Sequence, residues 1–373
     1  MILLGANLTE FEEQTRNKQI IVFGAGVCFG DLLRQCEEYG IHNRIVYAVD
    51  NNRKICGEYR FFRNKKYEIK SIDSLNNIDV DNTVILIAGQ YFYEILTQLD
   101  KIPSLDRGKA YIFPLIQFET KNKVDFNIDK SGEMKIPKKI HYFWFGGAPF
   151  PEKVKRCMES WRKFCPDYEI IQWDESNYDV NKIPYIQQAY QTKSYAFVSD
   201  YARLDIIYNH GGIYLDTDVE LVRNLDDLLY LDAYCGFYQH GTRINTGAGF
   251  GAKAGFPIVK EWLEDYKNKQ FIKDDLSFDT TPCTVHQTNV LKVHKDFKPN
   301  GKLQIIDQMV CFPYEYFEPM HDFLRTLNRT DNTYSIHWGT VLWGENIHNK
   351  WKSAREDNNS IINELYARIK KEG

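Results

Sequence analysis

Asp216 and Asp218 stand two residues apart at the end of a short apolar run, Ile213 to Leu215, behind the glycine pair Gly211 and Gly212. Two hard oxygen ligands at the carboxyl edge of a strand suit a divalent cation that holds a diphosphate. Upstream, the run Ser199-Asp200-Tyr201-Ala202-Arg203-Leu204-Asp205 places Asp200 and Arg203 three residues apart, hence on one face of a helix. Tyr201, Leu204, Ile207 and Tyr208 supply that helix with an apolar stripe for a core, and the glycine pair stops it. A strand over 213–215 would aim both acids the same way by its period of two. An Asp-X-Asp triplet alone is often a turn. An apolar strand running into paired acids, behind Gly-Gly and a helix with its own acid and base, is much rarer.

Four further stretches accompany the acids in order. The first is Ile136-Pro137-Lys138-Lys139-Ile140-His141-Tyr142-Phe143-Trp144-Phe145-Gly146-Gly147, an apolar strand closed by glycines that let backbone approach a ligand. By burial statistics Trp144 is as readily a core side chain as a base platform. Next come Ser160-Trp161 and Cys165-Pro166-Asp167-Tyr168-Glu169-Ile170, then Ile244-Asn245-Thr246-Gly247-Ala248-Gly249-Phe250-Gly251, then Thr333-Tyr334-Ser335-Ile336-His337-Trp338. The Asn245 segment also reads as an ordinary turn. His337 reads equally as a core histidine or as a metal ligand.

Together these motifs, across residues 136–345, resemble the glycosyltransferases of the GT-A fold, specifically the family 32 capsular-polysaccharide type. The resemblance implies a GT-A nucleotide-sugar-binding mixed sheet with flanking helices. It implies a metal-dependent hexosyltransferase that retains anomeric configuration and moves a sugar from a nucleotide-diphosphate donor, UDP-sugar favoured. The acceptor would be a glycan or lipid-linked glycan in bacterial capsular or cell-surface polysaccharide synthesis. Mn2+ or Mg2+ would be held chiefly by Asp218, with Asp216 reaching the ribose or a metal-bound water and His337 as the third candidate. Asp200 and Arg203 would bind donor-sugar hydroxyls, with Asn245 beside that sugar. Phe143, Trp144, Gly146 and Gly147 would form the nucleotide turn, Trp144 stacking on the base. Ser335 and Trp338 would close the diphosphate site. The alternatives are a glucosylating effector with a protein acceptor, a non-catalytic sugar-binding module, and an NAD(P)-dependent sugar-modifying enzyme.

That last alternative comes from a separate α/β unit near the start. Gln19 to Phe23 is a buried strand running into Gly24, Gly26 and Gly30, with a helix over 31–39, a strand over 44–49 ending at Asp50, and another over 83–88. The glycine spacing departs by one residue from the dinucleotide pattern. The expected organisation is a Rossmann-like accessory domain over 1–120, a polar linker over 121–135, and the GT-A domain over 136–373. A chain of 373 residues exceeds what one core usually serves.

A net charge of -4 with intermixed signs argues against a nucleic-acid binder. The eight cysteines show neither Cys-X-X-Cys nor zinc spacing and read as reduced thiols. No run approaches a membrane span, so a cytoplasmic protein is expected. The tail puts Ile361, Ile362, Leu365, Tyr366 and Ile369 on one helical face before Lys370 and Lys371. Docking on its own domain is the favoured reading, and peripheral contact with the inner membrane face the second. Thr280 to Gln287 reads as a polar loop for the acceptor.

Overall fold

The computed structural model describes residues 1–6, 8–35, 40–89, 91–116, 126–238, 243–320, 327, 329–339 and 358–372. The chain divides into two compact units, residues 1–122 with the C-terminal helix, and the segment from 123 through the one that carries His337.

The first unit comprises β1 (Ile2–Leu4), α1 (Leu8–Thr15), β2 (Gln19–Phe23), α2 (Val27–Gln35), β3 (Ile45–Val49), β4 (Tyr59–Phe62), β5 (Lys65–Lys70), β6 (Thr83–Ile87), α3 (Phe92–Leu99) and β7 (Lys109–Ile112). Its sheet runs β1-β7-β6-β2-β3-β5-β4, parallel throughout except for the edge strand β4. Ile20 to Phe23 and Thr83 to Ile87 are buried, as strands covered on both faces require. Helix α2 begins at Val27 rather than at Asp31, directly after the glycine turn; the expected residues 36–39 lie outside the described ones. Gly24 has φ +109, and a Cβ there would stand 2.8 Å from the Ala88 carbonyl oxygen, so this turn admits only glycine without strain. The Ala25 N–H donates to Asp50 Oδ2 at 2.8 Å. A phosphate at this turn would therefore meet an amide already engaged by a carboxylate.

The C-terminal helix α9 (Asn358–Glu372) belongs to this unit and not to the 136–373 domain expected from the chain order. Leu365 is buried with Leu3, Leu99 and Ile112, and Ile369 packs beside it. Arg368 donates to both oxygens of Asp100, at 2.7 and 2.9 Å. Leu365 and Ile369 of the apolar stripe are thus spent on the unit's own edge, whereas Tyr366 stays exposed and the side chains of Ile361 and Ile362 lie outside the described ones.

The second unit holds β8 (Lys139–Phe143), α4 (Glu152–Phe164), β9 (Glu169–Trp173), α5 (Pro184–Gln191), α6 (Tyr195–His210), β10 (Gly212–Tyr214), β11 (Val219–Leu221), β12 (Ala233–Phe237), β13 (Ile244–Asn245), β14 (Phe250–Ala252), α7 (Pro257–Tyr266), α8 (Cys283–Leu291), β15 (Gln304–Ile306), β16 (Met309–Phe312) and β17 (Ser335–His337). Its mixed sheet runs β15-β16-β12-β14-β10-β8-β9, with β13 paired to β12. Strands β9, β8 and β10 are parallel, and β14 lies antiparallel between β10 and β12. Each face carries its own core: Tyr214, Leu204, Ile207 and Trp262 share one, Ile213, Leu215 and Trp161 the other. This is the mixed α/β architecture with flanking helices expected from the sequence. The second half of the expected linker joins this unit, since Phe126 and Ile128 pack on the Trp161 core and the Lys135 and Ile136 amides donate to the Leu229 carbonyl.

The hinge of this sheet is where α6 ends. Gly211 (φ +62) and Gly212 (φ +108) turn the chain from helix into β10, and a Cβ on Gly212 would meet His141 Nε2 at 2.9 Å. His141 is fully buried on β8. The Trp173 indole can only donate, so His141 Nδ1 accepts at 3.1 Å and Nε2–H donates to the Gly211 carbonyl at 3.0 Å. That arrangement requires a neutral ring, and burial pushes the imidazole down to about 4. The unfolded chain thus takes up this proton first, so stability should fall as pH drops from about 6.5 toward 4 and level off below. The loss attributable to His141 should be about 3 kcal/mol. Urea titrations at pH 7, 5.5 and 4 should show this slope and a flatter one in His141→Gln; an equal slope in the variant would assign it to other groups.

Candidate active site

Helix α6 delivers Asp200 and Arg203 to the end of β10 with both side chains buried. Arg203 keeps its charge under any ordinary condition, so burial demands partners on every side. Its Nε donates to the Ser199 carbonyl at 3.0 Å, and one terminal nitrogen lies 2.9 Å from Asp200 Oδ1 and 3.3 Å from Asp216 Oδ1. The guanidinium lies 4.7 Å from the centre of the Tyr214 ring, and the Tyr214 hydroxyl donates to Asp216 Oδ1 at 2.7 Å. Cys283, at the start of α8, lies close enough to Asp200 for its thiol and amide to favour the charged carboxylate. Burial pushes the Asp200 carboxyl up to about 6, against the pull of Arg203.

The second acid faces a different group. Strand β10 ends at Tyr214, and the chain turns at once, the Val219 N–H donating to the Asp216 carbonyl at 3.0 Å. The extended geometry that would aim both acids alike is therefore absent. Asp218 Oδ1 lies 3.2 Å from His337 Nε2, because β11 and β17 pair with Val219 opposite His337. Helix α4 anchors that ladder: the Trp161 indole donates to the Val219 carbonyl at 2.7 Å, and Ser160 Oγ accepts the Leu221 N–H at 2.8 Å. Burial disfavours a charged His337, but Asp218 and Glu318 on its two nitrogens outweigh that and raise the imidazole well above its ordinary range.

Glycines let the Asn245 loop close over Asp216. The Asp216 N–H donates to the Gly247 carbonyl at 2.9 Å. A Cβ on Gly247 would fall 2.0 Å from Asp216 Oδ2 and 2.9 Å from an Arg203 nitrogen. Asn245 is buried, its Oδ1 accepting the Gly247 N–H at 2.8 Å and its Nδ2 donating to Glu318 Oε1 at 2.7 Å.

The structure thus gathers Asp200, Arg203, Asp216 and Asn245 on one side, and Asp218 and His337 on the other. Asp216 is engaged by Arg203 and Tyr214, so it does not form a ligand triplet with Asp218 and His337; among the described residues no three His, Cys, Asp or Glu side chains stand as a metal-holding group. Phe143 points into the core, stacked on Phe145 at 5.3 Å. Ser335 is buried with its hydroxyl donated to the Ala248 carbonyl at 2.8 Å, which ties the closing segment to the Asn245 loop. Trp144 is half-buried, leaning on Phe150 at 4.7 Å with its indole donating to the Ala148 carbonyl. The Gly146 N–H donates to Glu175, and Gly146 and Gly147 are exposed with φ +81 and +63. Trp338 is half-buried, donating to Glu220 at 2.9 Å. Cys283 to Gln287 open helix α8 and do not form a loop, with Gln287 accepting from Thr246.

Sequence reading missed Glu318 and the part played by Tyr214. Tyr214 was within reach, two residues before Asp216 on the buried strand. Glu318 carried no local signal, lying 73 residues from Asn245 and 19 from His337.

Residues 151–234 match the family described as glycosyltransferase sugar-binding region containing DXD motif. An uncharacterized glycosyltransferase of Acanthamoeba polyphaga mimivirus, L373, is 32% identical over 189 residues, covering 48% of this chain and 73% of its own. Inositol phosphoceramide mannosyltransferase 2 of Schizosaccharomyces pombe is 30% identical over 145 residues, 38% of each chain. Mannosyltransferase 3 of that yeast is 38% identical over 103 residues, 26% of this chain and 29% of its own. The chain therefore spans well under half the length of the two yeast relatives.

Gly247→Ala should displace Asp216, because the added methyl has nowhere to go but into its carboxylate. Turnover should fall by about a hundredfold, the scale of an ångström misplacement in an active site, with about 1–3 kcal/mol of destabilisation from overpacking. Rates and urea midpoints measured together check this; wild-type turnover in the variant would mean that Asp216 need not stay where it is.

Proposed function

The chain belongs to the glycosyltransferases whose sugar-binding region carries a DXD motif, and from that premise we propose that it is a metal-dependent, retaining glycosyltransferase. Its donor is a nucleoside-diphosphate sugar, UDP-sugar favoured, and its acceptor a glycan or lipid-linked glycan of the cell surface, reached from the cytoplasmic side. The observation that carries the reading is the convergence of the buried Asp200–Arg203 pair with the half-buried Asp216 and of the Asp218–His337 pair at the end of one strand.

The residues fit these tasks. Asp218 offers an oxygen, and His337 offers Nε2 beside it once the cation displaces the proton held there, donors that Mn2+ accepts; a cation that also takes diphosphate oxygens needs few protein ligands. Bound there, the cation would neutralise charge developing on the leaving diphosphate. Asp200 and Arg203 hold donor-sugar hydroxyls with side chains already immobilised by one another, so little ordering cost falls on binding. The fixed positive charge of Arg203 lies beside the same centre and favours the departing anion. Asp200 and Asp216 are both committed to Arg203, which leaves neither poised as a covalent nucleophile. The acceptor hydroxyl then attacks from the face the diphosphate leaves, passing its proton to a diphosphate oxygen as that bond breaks. Trp144 serves as the base platform, and Trp338 borders the diphosphate side.

Asp218→Ala should abolish turnover in a chain that still folds, its thermal midpoint lowered by the partner His337 loses, and a chelator should abolish turnover of the wild type, a loss of several kcal/mol of transition-state stabilisation. Thermal shifts with a panel of nucleotide sugars, with and without Mn2+, identify base and sugar together; full activity in metal-free buffer refutes the metal. Trp144→Ala should raise the donor KM by the equivalent of about 1–3 kcal/mol, the value of a base–aromatic stack, and leave kcat nearly untouched. An unchanged KM would return Trp144 to a packing role against Phe150.

A further inference from the structure

The two sides of the site meet at one oxygen. Glu318 is 2% exposed, an ionisable group whose burial is costly unless it is bonded. Its Oε1 accepts the Asn245 amide at 2.7 Å and lies 2.6 Å from His337 Nδ1. Beyond Asn245 the bonds continue through the Gly247 N–H and the Gly247 carbonyl to the Asp216 N–H, at 2.8 and 2.9 Å. Beyond His337 they reach Asp218 Oδ1 at 3.2 Å. This path links the two acids without following the turn between them.

The backbone that carries Glu318 has little room to move. Phe317 is buried between two glycines, Gly236 and Gly249, at each of which a Cβ would come within 2.7 Å of its ring. The same ring stacks on Tyr234 at 5.6 Å and on Tyr334 at 6.0 Å.

We propose that Glu318 is the positioning residue of the site: one buried oxygen sets the loop beside Asp216 and the imidazole beside Asp218 together. The proposal rests on the reading of Asp218 as the metal-side acid. It requires that a change at Asn245, whose side chain bonds to Gly247 and Glu318 and to neither acid, be felt at the metal.

Calorimetric titration with Mn2+ alone, on the full chain, tests this with two substitutions at Glu318 and one at Asn245. Glu318→Gln keeps the accepting oxygen and drops the charge; Glu318→Asp keeps the charge and draws the oxygen back by one methylene. Asn245→Ala should weaken Mn2+ binding by about ten- to a hundredfold, as loss of a ligand-orienting partner does elsewhere. Glu318→Asp should show that loss already, with nothing added by Asn245→Ala, whereas Glu318→Gln should respond to Asn245→Ala as the wild type does. Mn2+ affinity indifferent to Asn245→Ala overturns the proposal, as does Glu318→Asp behaving as wild type while Glu318→Gln fails. A wild type that takes up no Mn2+ sinks the metal reading instead. Thermal midpoints of Asn245→Ala, His337→Ala and the double variant then decide on Glu318, since non-additivity that vanishes in Glu318→Asp supports it and additivity in the wild type refutes it.

Discussion

A buried guanidinium sets the geometry of the second unit. Arg203 is 3% exposed and cannot shed its charge, so leaving it without compensation would cost several kcal/mol. Every group around it answers that demand: two carboxylates, the Ser199 carbonyl and the face of the Tyr214 ring. Each partner is then held by something else. Asp200 faces the start of α8, and Asp216 is held by the Tyr214 hydroxyl and by the Gly247 carbonyl on its own amide. Gly247 has no side chain because the space a methyl would need is filled by Asp216. Helix, strand and loop are thus locked by the need to neutralise one cation.

The same constraint divides the labour of the Asp-X-Asp triplet. Asp216, half-buried, is committed to Arg203, while the tight turn carries the more buried Asp218 round to the β11–β17 ladder and His337. Helix α4 fixes that ladder through Trp161 and Ser160, which explains why a tryptophan so far from the acids is fully buried. Two acids of one triplet therefore have unlike electrostatic surroundings: a fixed guanidinium for one, a titratable imidazole for the other.

The first unit combines a Rossmann-like strand order with a glycine turn that one of its own carboxylates engages. Its five central parallel strands follow the nucleotide-binding order, yet the Asp50 carboxylate at the end of β3 bonds to the turn that a phosphate would otherwise occupy. Its outer edge is completed by the other end of the chain, with Leu365 packed near Leu3 and Arg368 on Asp100. A parallel sheet needs cover on both faces, and here part of that cover comes from the last helix.

Local chemistry in the sequence determined most of what was legible. The Asp200/Arg203 spacing, the Gly211-Gly212 stop, the apolar strands and the glycine turn at Gly24 each depend on a few consecutive residues and appear in the structure where they were expected. So do the class of fold and the neighbourhood of the acids. What tertiary structure decided was every relation between distant segments. Phe143 faces the core because alternation along β8 gives two faces without saying which is lined by α5 and α6. Ser335 ties two segments together because its burial depends on β17 finding β11. Asp216 meets Arg203 and Asp218 meets His337, instead of both aiming alike, because a turn replaced the extended geometry that period two assumes. The last helix went to the first unit, since an apolar stripe specifies a need for burial and not the surface that meets it. Glu318 was invisible for the same reason: a single acid with no neighbouring pattern acquires a role only when Asn245 and His337 are brought to one of its oxygens.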